Sequence, residues 1–179
     1  MDKKKFIQWI YPYAQQMDID TIFIVAQAAL ESGWGNSAIG NNLFGITKGS
    51  SWKGKTQLVT TTEYFSIPNK TFTMPEKVIS VAKVGDRYKY IVKRLFRDYE
   101  TVTECLEDHT AILKKPQFAD AWPYRHDRVQ FTKRIVDNVG LKYATDPNYE
   151  EVMNAMFKSI MKTIDGMSSD EILKLNKKT

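Results

Sequence analysis

Between residues 56 and 98 the character of the chain changes from helical to alternating. "TQLVTTTEYF" (56–65) and "KVISVAKV" (77–84) alternate and are rich in β-branched residues, and "RYKYIVKRLF" (87–96) follows a Gly85-Asp86 turn signal. Two or three antiparallel strands are expected there, in one block with helical segments on both sides. In the first strand the period of two puts Val59, Thr61, Glu63 and Phe65 on one face. Glu63 therefore points the same way as apolar neighbours, which is unusual for a merely solvated carboxylate.

The helical flanks are equally legible. Residues 3–18 place Phe6, Ile7, Ile10 and Ala14 on one side, with Pro12 kinking or restarting the segment. Asp20 is suited to cap a helix over 21–32, whose apolar residues nearly encircle the axis, and Gly33 is suited to end it. A Gly-, Asn- and Ser-rich loop (33–55) follows, carrying Trp34, Leu43, Phe44 and Trp52. Thr101 and Glu104 have capping-box spacing, Pro116 stops the helix they open, a second helix is expected from about Asp127 to Val139, and a third after Pro147. His109 and the methionines at 153, 156 and 161 read as core residues, and the tail after Gly166 as a further short turn of helix.

Composition excludes several functions. With 179 residues, 42% hydrophobic, the chain fits a single domain of two lobes with no separate wall-binding module and no repeat. Two histidines and one cysteine, Cys105, give no zinc-ligand spacing, so neither a metal nor a cofactor is expected. No Gly-x-Ser-x-Gly elbow, Walker loop or dinucleotide fingerprint occurs. The N-terminus lacks the pattern of a secretory signal and no stretch is long enough to span a membrane, so work outside the cytoplasm requires another route of release. The net charge of +5 draws the chain weakly to polyanions: nucleic acid, anionic membrane or an acidic cell wall. The basic residues are scattered and form no nucleic-acid module.

Carboxylate chemistry remains. Glu31 ends the apolar helix just before Gly33-Trp34-Gly35, with no Lys or Arg in the two preceding turns. Apolar neighbours and the negative helix end both favour its protonated form, which is what a general acid for glycoside cleavage needs. A helix-end glutamate exposed to water is the competing reading.

"AQAALESGWGNS" (26–37), "NNLFGIT" (41–47), "SWKG" (51–54), "FRDY" (96–99) and "YATDPNY" (143–149) resemble, in order and spacing, the landmarks of glycoside hydrolase family 73. These are peptidoglycan-cleaving glucosaminidases that include autolysins, phage endolysins and the hydrolase domain of a flagellar-rod assembly protein. The resemblance covers about residues 5–165. It implies a lysozyme-like α+β fold in which a mainly helical lobe and a small antiparallel β-lobe (about 56–98) flank a substrate groove, with Glu31 as catalytic acid and Glu63 as the second acidic residue, acting as base, as transition-state stabiliser, or to orient a substrate whose own N-acetyl group assists. It also implies an active-site role for Tyr143, although Lys142 stands where the family usually has Gly. Asn42, Phe44 and Trp52 are the loop candidates for sugar contacts. The activity implied is cleavage of the β-1,4 bond between N-acetylglucosamine and N-acetylmuramic acid by a monomeric, phage-type endolysin that binds peptidoglycan, not nucleic acid or membrane. An N-acetylmuramidase of the same fold and a non-catalytic glycan-binding domain are the alternatives.

Overall fold

A computed structural model describes residues 1–137 and 148–176. The chain divides into two compact units, one helical (residues 1–44 and 100–179) and one built on a sheet (residues 45–99). The first strand of the sheet unit starts at Thr56, eleven residues after the unit itself begins.

The helical unit contains α1 (Lys3–Ala14), α2 (Thr21–Ser32), α3 (Val102–Leu113), α4 (Arg128–Asp137), α5 (Tyr149–Asp165) and α6 (Ser169–Leu175). Its centre is α2, in which eight consecutive residues from Ile22 to Ala29 are buried, as the all-round apolar pattern requires. Phe6, Ile7 and Ile10 of α1 and Met153, Phe157 and Ile160 of α5 complete the core with Phe131 of α4, whose ring lies 4.8 Å from that of Phe23. Each such fully buried side chain contributes about 1.5–3 kcal/mol. Asp20 caps α2 as expected, its carboxylate accepting from Phe23 N–H at 2.9 Å, and also pairs with Arg128 of α4.

Several local expectations are corrected. The first helix stops at Ala14, short of residue 18. At α3, Thr101 accepts from Glu104 N–H, but the Glu104 carboxylate reaches back to Glu100 N–H, one residue before the cap. Met161 is not core: it is 44% exposed and its Sδ accepts from Arg128. The tail forms a true helix, α6, because Ser168 and Glu171 make a reciprocal capping box. The expected end of α4 at Val139–Gly140 lies outside the described residues.

In the other unit β1 (Thr56–Phe65), β2 (Lys77–Val84) and β3 (Arg87–Arg97) form an antiparallel sheet of order β1-β3-β2. β2 and β3 are joined at Gly85-Asp86, where Gly85 takes the positive φ of 62° that the tight turn requires. Along β1 the odd-numbered residues from Val59 to Phe65 are half-buried and the even-numbered ones from Leu58 to Tyr64 exposed, so one face is covered and the other open. The covered face holds Tyr90, Val92 and Phe96 of β3; the 66–76 loop is tied to it where the Tyr90 hydroxyl donates to Ile67 C=O at 2.7 Å and accepts from Lys70 N–H. A β-bulge lies between Val78 and Ser80.

Candidate active site

Glu31 sits in the last turn of α2, and the way that helix ends decides its setting. Trp34 N–H bonds Ala29 C=O at 2.8 Å and Gly33 N–H reaches Leu30 C=O, a Schellman arrangement with Gly33 at φ 55°. Trp34 itself has φ 58° and Gly35 φ 79°, so three successive residues are left-handed. For a tryptophan that conformation is strained, and strain of this kind persists only where the surroundings over-determine it. Here they do: Ser32 Oγ accepts from Gly35 N–H at 2.9 Å, and the Trp34 ring packs edge-on against buried Phe6, centroids 5.7 Å apart. A Cβ on Gly35 would lie 3.2 Å from the Phe6 ring. The turn is thus fixed from several sides, and Glu31 with it.

Glu31 is exposed as a residue, yet its carboxyl is raised above the usual carboxylate range by desolvation. Solvent reaches it from one side while protein crowds the other. Among the described residues no Lys or Arg pairs with it.

One turn earlier on the same face, Gln27 is fully buried and donates through Nε2 to the Tyr149 hydroxyl at 2.8 Å. Tyr149, the first residue of α5, is held above the ordinary tyrosine range by burial, with the nearby Glu31 charge adding to the rise. At neutral pH it is therefore a phenol, close enough to sense the Glu31 carboxylate. Helical periodicity after Pro147 gives Tyr149 no role beyond packing. The signal that would have found it is Gln27, a polar residue at the i−4 position to Glu31 in an otherwise apolar helix. Replacing Tyr149 by Phe strands a buried amide donor, and is expected to lower stability by about 1–2 kcal/mol in urea unfolding.

Glu63 belongs to the sheet unit and has a different environment. Both its oxygens accept from Arg94 Nη1, at 2.9 and 2.7 Å, while Arg94 Nε donates to Glu76 at 3.0 Å and the guanidinium lies over the Phe72 ring. Glu76 also accepts from Leu95 N–H. Arg94 explains how a carboxylate tolerates a half-buried face: one cation joins β1, β3 and the loop before β2. Each Glu63 oxygen keeps a second lone pair for a water. Arg94→Met leaves two partly buried carboxylates facing each other without a cation and is expected to cost about 1–3 kcal/mol, less than a fully buried pair because all three side chains retain solvent contact. Adding Glu63→Gln should recover part of that loss; equal melting temperatures for Arg94→Met and the parent would refute it.

The loop candidates divide. Asn42 and Phe44 are 1% and 7% exposed: the Phe44 ring stacks on His109 of α3 with centroids 3.7 Å apart, and Asn42 exchanges backbone hydrogen bonds with Ile39, so neither presents an open surface. Trp52 is half-exposed in the sheet unit, its indole N–H donating to Lys55 C=O, Arg97 stacked over its ring and Tyr99 against its edge. Gly54 makes room for it, since a Cβ there would meet the ring at 2.4 Å. Tyr143, with the Lys142 departure beside it, lies outside the described residues.

A cleft of about 600 Å³ is lined by Asp20, Arg128, Val129, Phe157, Lys158 and Met161. It opens at the N-terminal end of α2, about 16 Å along the helix from Glu31. Of its two carboxylates, Asp20 is engaged in a helix cap and an ion pair with Arg128, and Asp127 accepts from Gln130 N–H at 3.1 Å at the start of α4. Among the described residues no group of His, Cys, Asp and Glu could hold a metal ion, and no helix is long and apolar enough to cross a membrane.

The family profile described as "Glucosaminidase: Mannosyl-glycoprotein endo-beta-N-acetylglucosaminidase" matches residues 7–162. The peptidoglycan hydrolase FlgJ of Salmonella typhimurium is 32% identical over 155 residues, 82% of this chain and 42% of that protein. A probable N-acetylmuramidase of Lactococcus lactis subsp. lactis is 30% identical over 169 residues, 88% of this chain and 33% of that protein. The chain thus spans less than half the length of these relatives. Among solved structures, the glycoside hydrolase domain of Salmonella typhimurium FlgJ superposes with a TM-score of 0.68 at 27% identity, covering 98% of this chain and 99% of that one.

Proposed function

The chain belongs to the glucosaminidase family of glycoside hydrolases, family 73, and from that premise we propose that it cleaves the β-1,4 bond between N-acetylglucosamine and N-acetylmuramic acid in peptidoglycan, with Glu31 as general acid. The observation that carries the reading is the contrast between its two carboxyls. Glu31 is desolvated and has no cation beside it among the described residues, whereas Glu63 is held by Arg94. A carboxyl that retains its proton can pass it to the leaving glycosidic oxygen, and a carboxylate fixed by a guanidinium serves charge stabilisation or the orientation of a water. Tyr149, kept as a phenol, orients the acid or the acetamido group of the sugar.

The fold and the raised Glu31 suit a muramidase equally well, and the Lactococcus relative is described as one. Digesting purified peptidoglycan and identifying the new reducing end by mass spectrometry decides between them. A reducing N-acetylglucosamine supports the proposal; a reducing muramic acid replaces it with a muramidase; no new reducing end overturns the hydrolase reading. The biological setting proposed is phage-type lysis of a bacterial wall. Co-expression with a membrane-permeabilising protein should then lyse a susceptible host, and co-expression of Glu31→Gln should not.

A further inference from the structure

The charge is not spread evenly over the two units. Residues 45–99 hold eleven Lys and Arg against four Asp and Glu, while the rest of the chain holds fifteen against seventeen. The sheet unit thus carries more than the whole net charge of the protein.

Two of its four acids, Glu63 and Glu76, are occupied by Arg94 on the covered face. The strand register places Arg87, Lys89 and Lys93 of β3 on the opposite, open face, with Lys77 of β2 directly across from Lys93. Thr60 and Thr62 of β1 flank them, opposite Lys93 and Ile91, and Tyr64 lies opposite Lys89. No acidic residue occupies a strand position on this face; the nearest in sequence is Asp86, in the turn before Arg87. Lys77, Lys89 and Lys93 form no ion pair among the described residues, and Arg87 stacks over the exposed Tyr64 ring. From Arg87 to Lys93 the stripe runs about 20 Å along β3.

Solubility and edge protection do not explain it. Lysines on an outer strand such as β2 discourage edge-to-edge pairing, but β3 is the central strand and has no free edge to defend. Placing Lys93 directly opposite Lys77 is destabilising, because like charges at paired positions repel. A face that works against its own folding in this way is best accounted for by an anion that neutralises it in use.

We infer that the open face of the sheet is a docking surface for a linear phosphodiester polymer of the bacterial cell wall, which would hold the enzyme beside its glycan substrate. Spaced ammonium groups meet successive phosphates, and the Thr60 and Thr62 hydroxyls supply neutral donors between them. A single-stranded nucleic acid is the poorer fit, because Tyr64 is the only aromatic side chain on the face and bases need a series of stacking platforms. The inference rests on the wall-directed reading given above.

The test uses the full chain carrying Glu31→Gln, so that pelleting with purified walls reads adhesion and not digestion. Walls that retain their phosphodiester polymers are compared with walls stripped of them, and single-stranded DNA is added as competitor at equal phosphate. Binding should fall at least about tenfold on stripping and to a similar extent with Lys77→Gln/Lys89→Gln/Lys93→Gln, with the log–log salt slope reduced by about 2 in that variant. The same three substitutions should leave the melting temperature unchanged or raised at low salt and, with Glu31 intact, leave cleavage of a soluble glycan oligomer unchanged. Undiminished binding to stripped walls, undiminished binding by the triple variant, or stronger competition by DNA than by the isolated wall polymer would each overturn the inference. If the parent enzyme fails on the soluble oligomer while the adhesion results hold, it is the catalytic proposal that falls.

Discussion

Glu31→Gln is expected to lower turnover on peptidoglycan by about 10²–10⁴-fold, the usual contribution of a positioned general acid, with the far-ultraviolet circular dichroism spectrum unchanged. The amide is nearly isosteric, so the turn at Gly33 and the Gln27–Tyr149 hydrogen bond should survive it. A second readout separates a titrating acid from a merely structural residue. The folded-state carboxyl is raised above its unfolded value, so its contribution to stability is fully present below the unfolded pKa and is lost as pH rises through the folded one. Glu31→Gln should therefore melt higher than the parent at pH 8, and the difference should shrink as the pH falls through the carboxylate range. Turnover within a factor of a few of the parent would remove Glu31 from the mechanism, and an unchanging melting difference across that range would contradict its raised carboxyl.

His109 has the largest expected effect on stability. It is buried in α3 against Phe44, and burial pushes its imidazole down from about 6.5 to about 3. The sign is opposite to that of Glu31. A depressed folded-state value gives stability that is present above the unfolded pKa and lost as pH falls through the folded one, because the unfolded chain takes up a proton that the native state refuses. Over that window the loss amounts to about 5 kcal/mol, a large share of the 5–15 kcal/mol that holds a typical domain folded. Urea unfolding at pH 7 and pH 4.5 should show the parent losing about 2–3 kcal/mol more than His109→Gln. Equal losses in the two proteins would mean that His109 accepts a proton in the native state.

These two residues illustrate what the sequence discloses and what it withholds. Asp20, Gly33, Pro116 and the alternation in 56–65 act through the backbone within a few residues of themselves, so the elements they start, stop or pattern are legible directly. The burial of His109 is legible because the residues three and four positions from it along the helix, Cys105, Leu106 and Leu113, are apolar and buried with it. Arg94 was invisible as the partner of Glu63 because the two are 31 positions apart and meet only through the strand register. Asn42 and Phe44 show a related limit: an Asn and a Phe in a polar loop resemble sugar contacts, and their burial, with Phe44 stacked on His109, emerges only when the loop folds. Met161 failed through helical geometry, since it follows Ile160, the last buried residue of α5, and is itself 44% exposed.

The division of the chain also orders events during synthesis. The sheet unit is one unbroken segment, residues 45–99, and all its pairings, the local β2–β3 hairpin and the longer-range β1–β3 pairing, close within that segment. The helical unit is written in two pieces, and α2 finds its packing partner α5 only more than 100 residues later. A growing chain can thus complete the sheet while α1 and α2 still lack α5. For much of translation the most apolar helix of the protein is without its cover, so slow elongation after residue 100 is where a chaperone has most to protect.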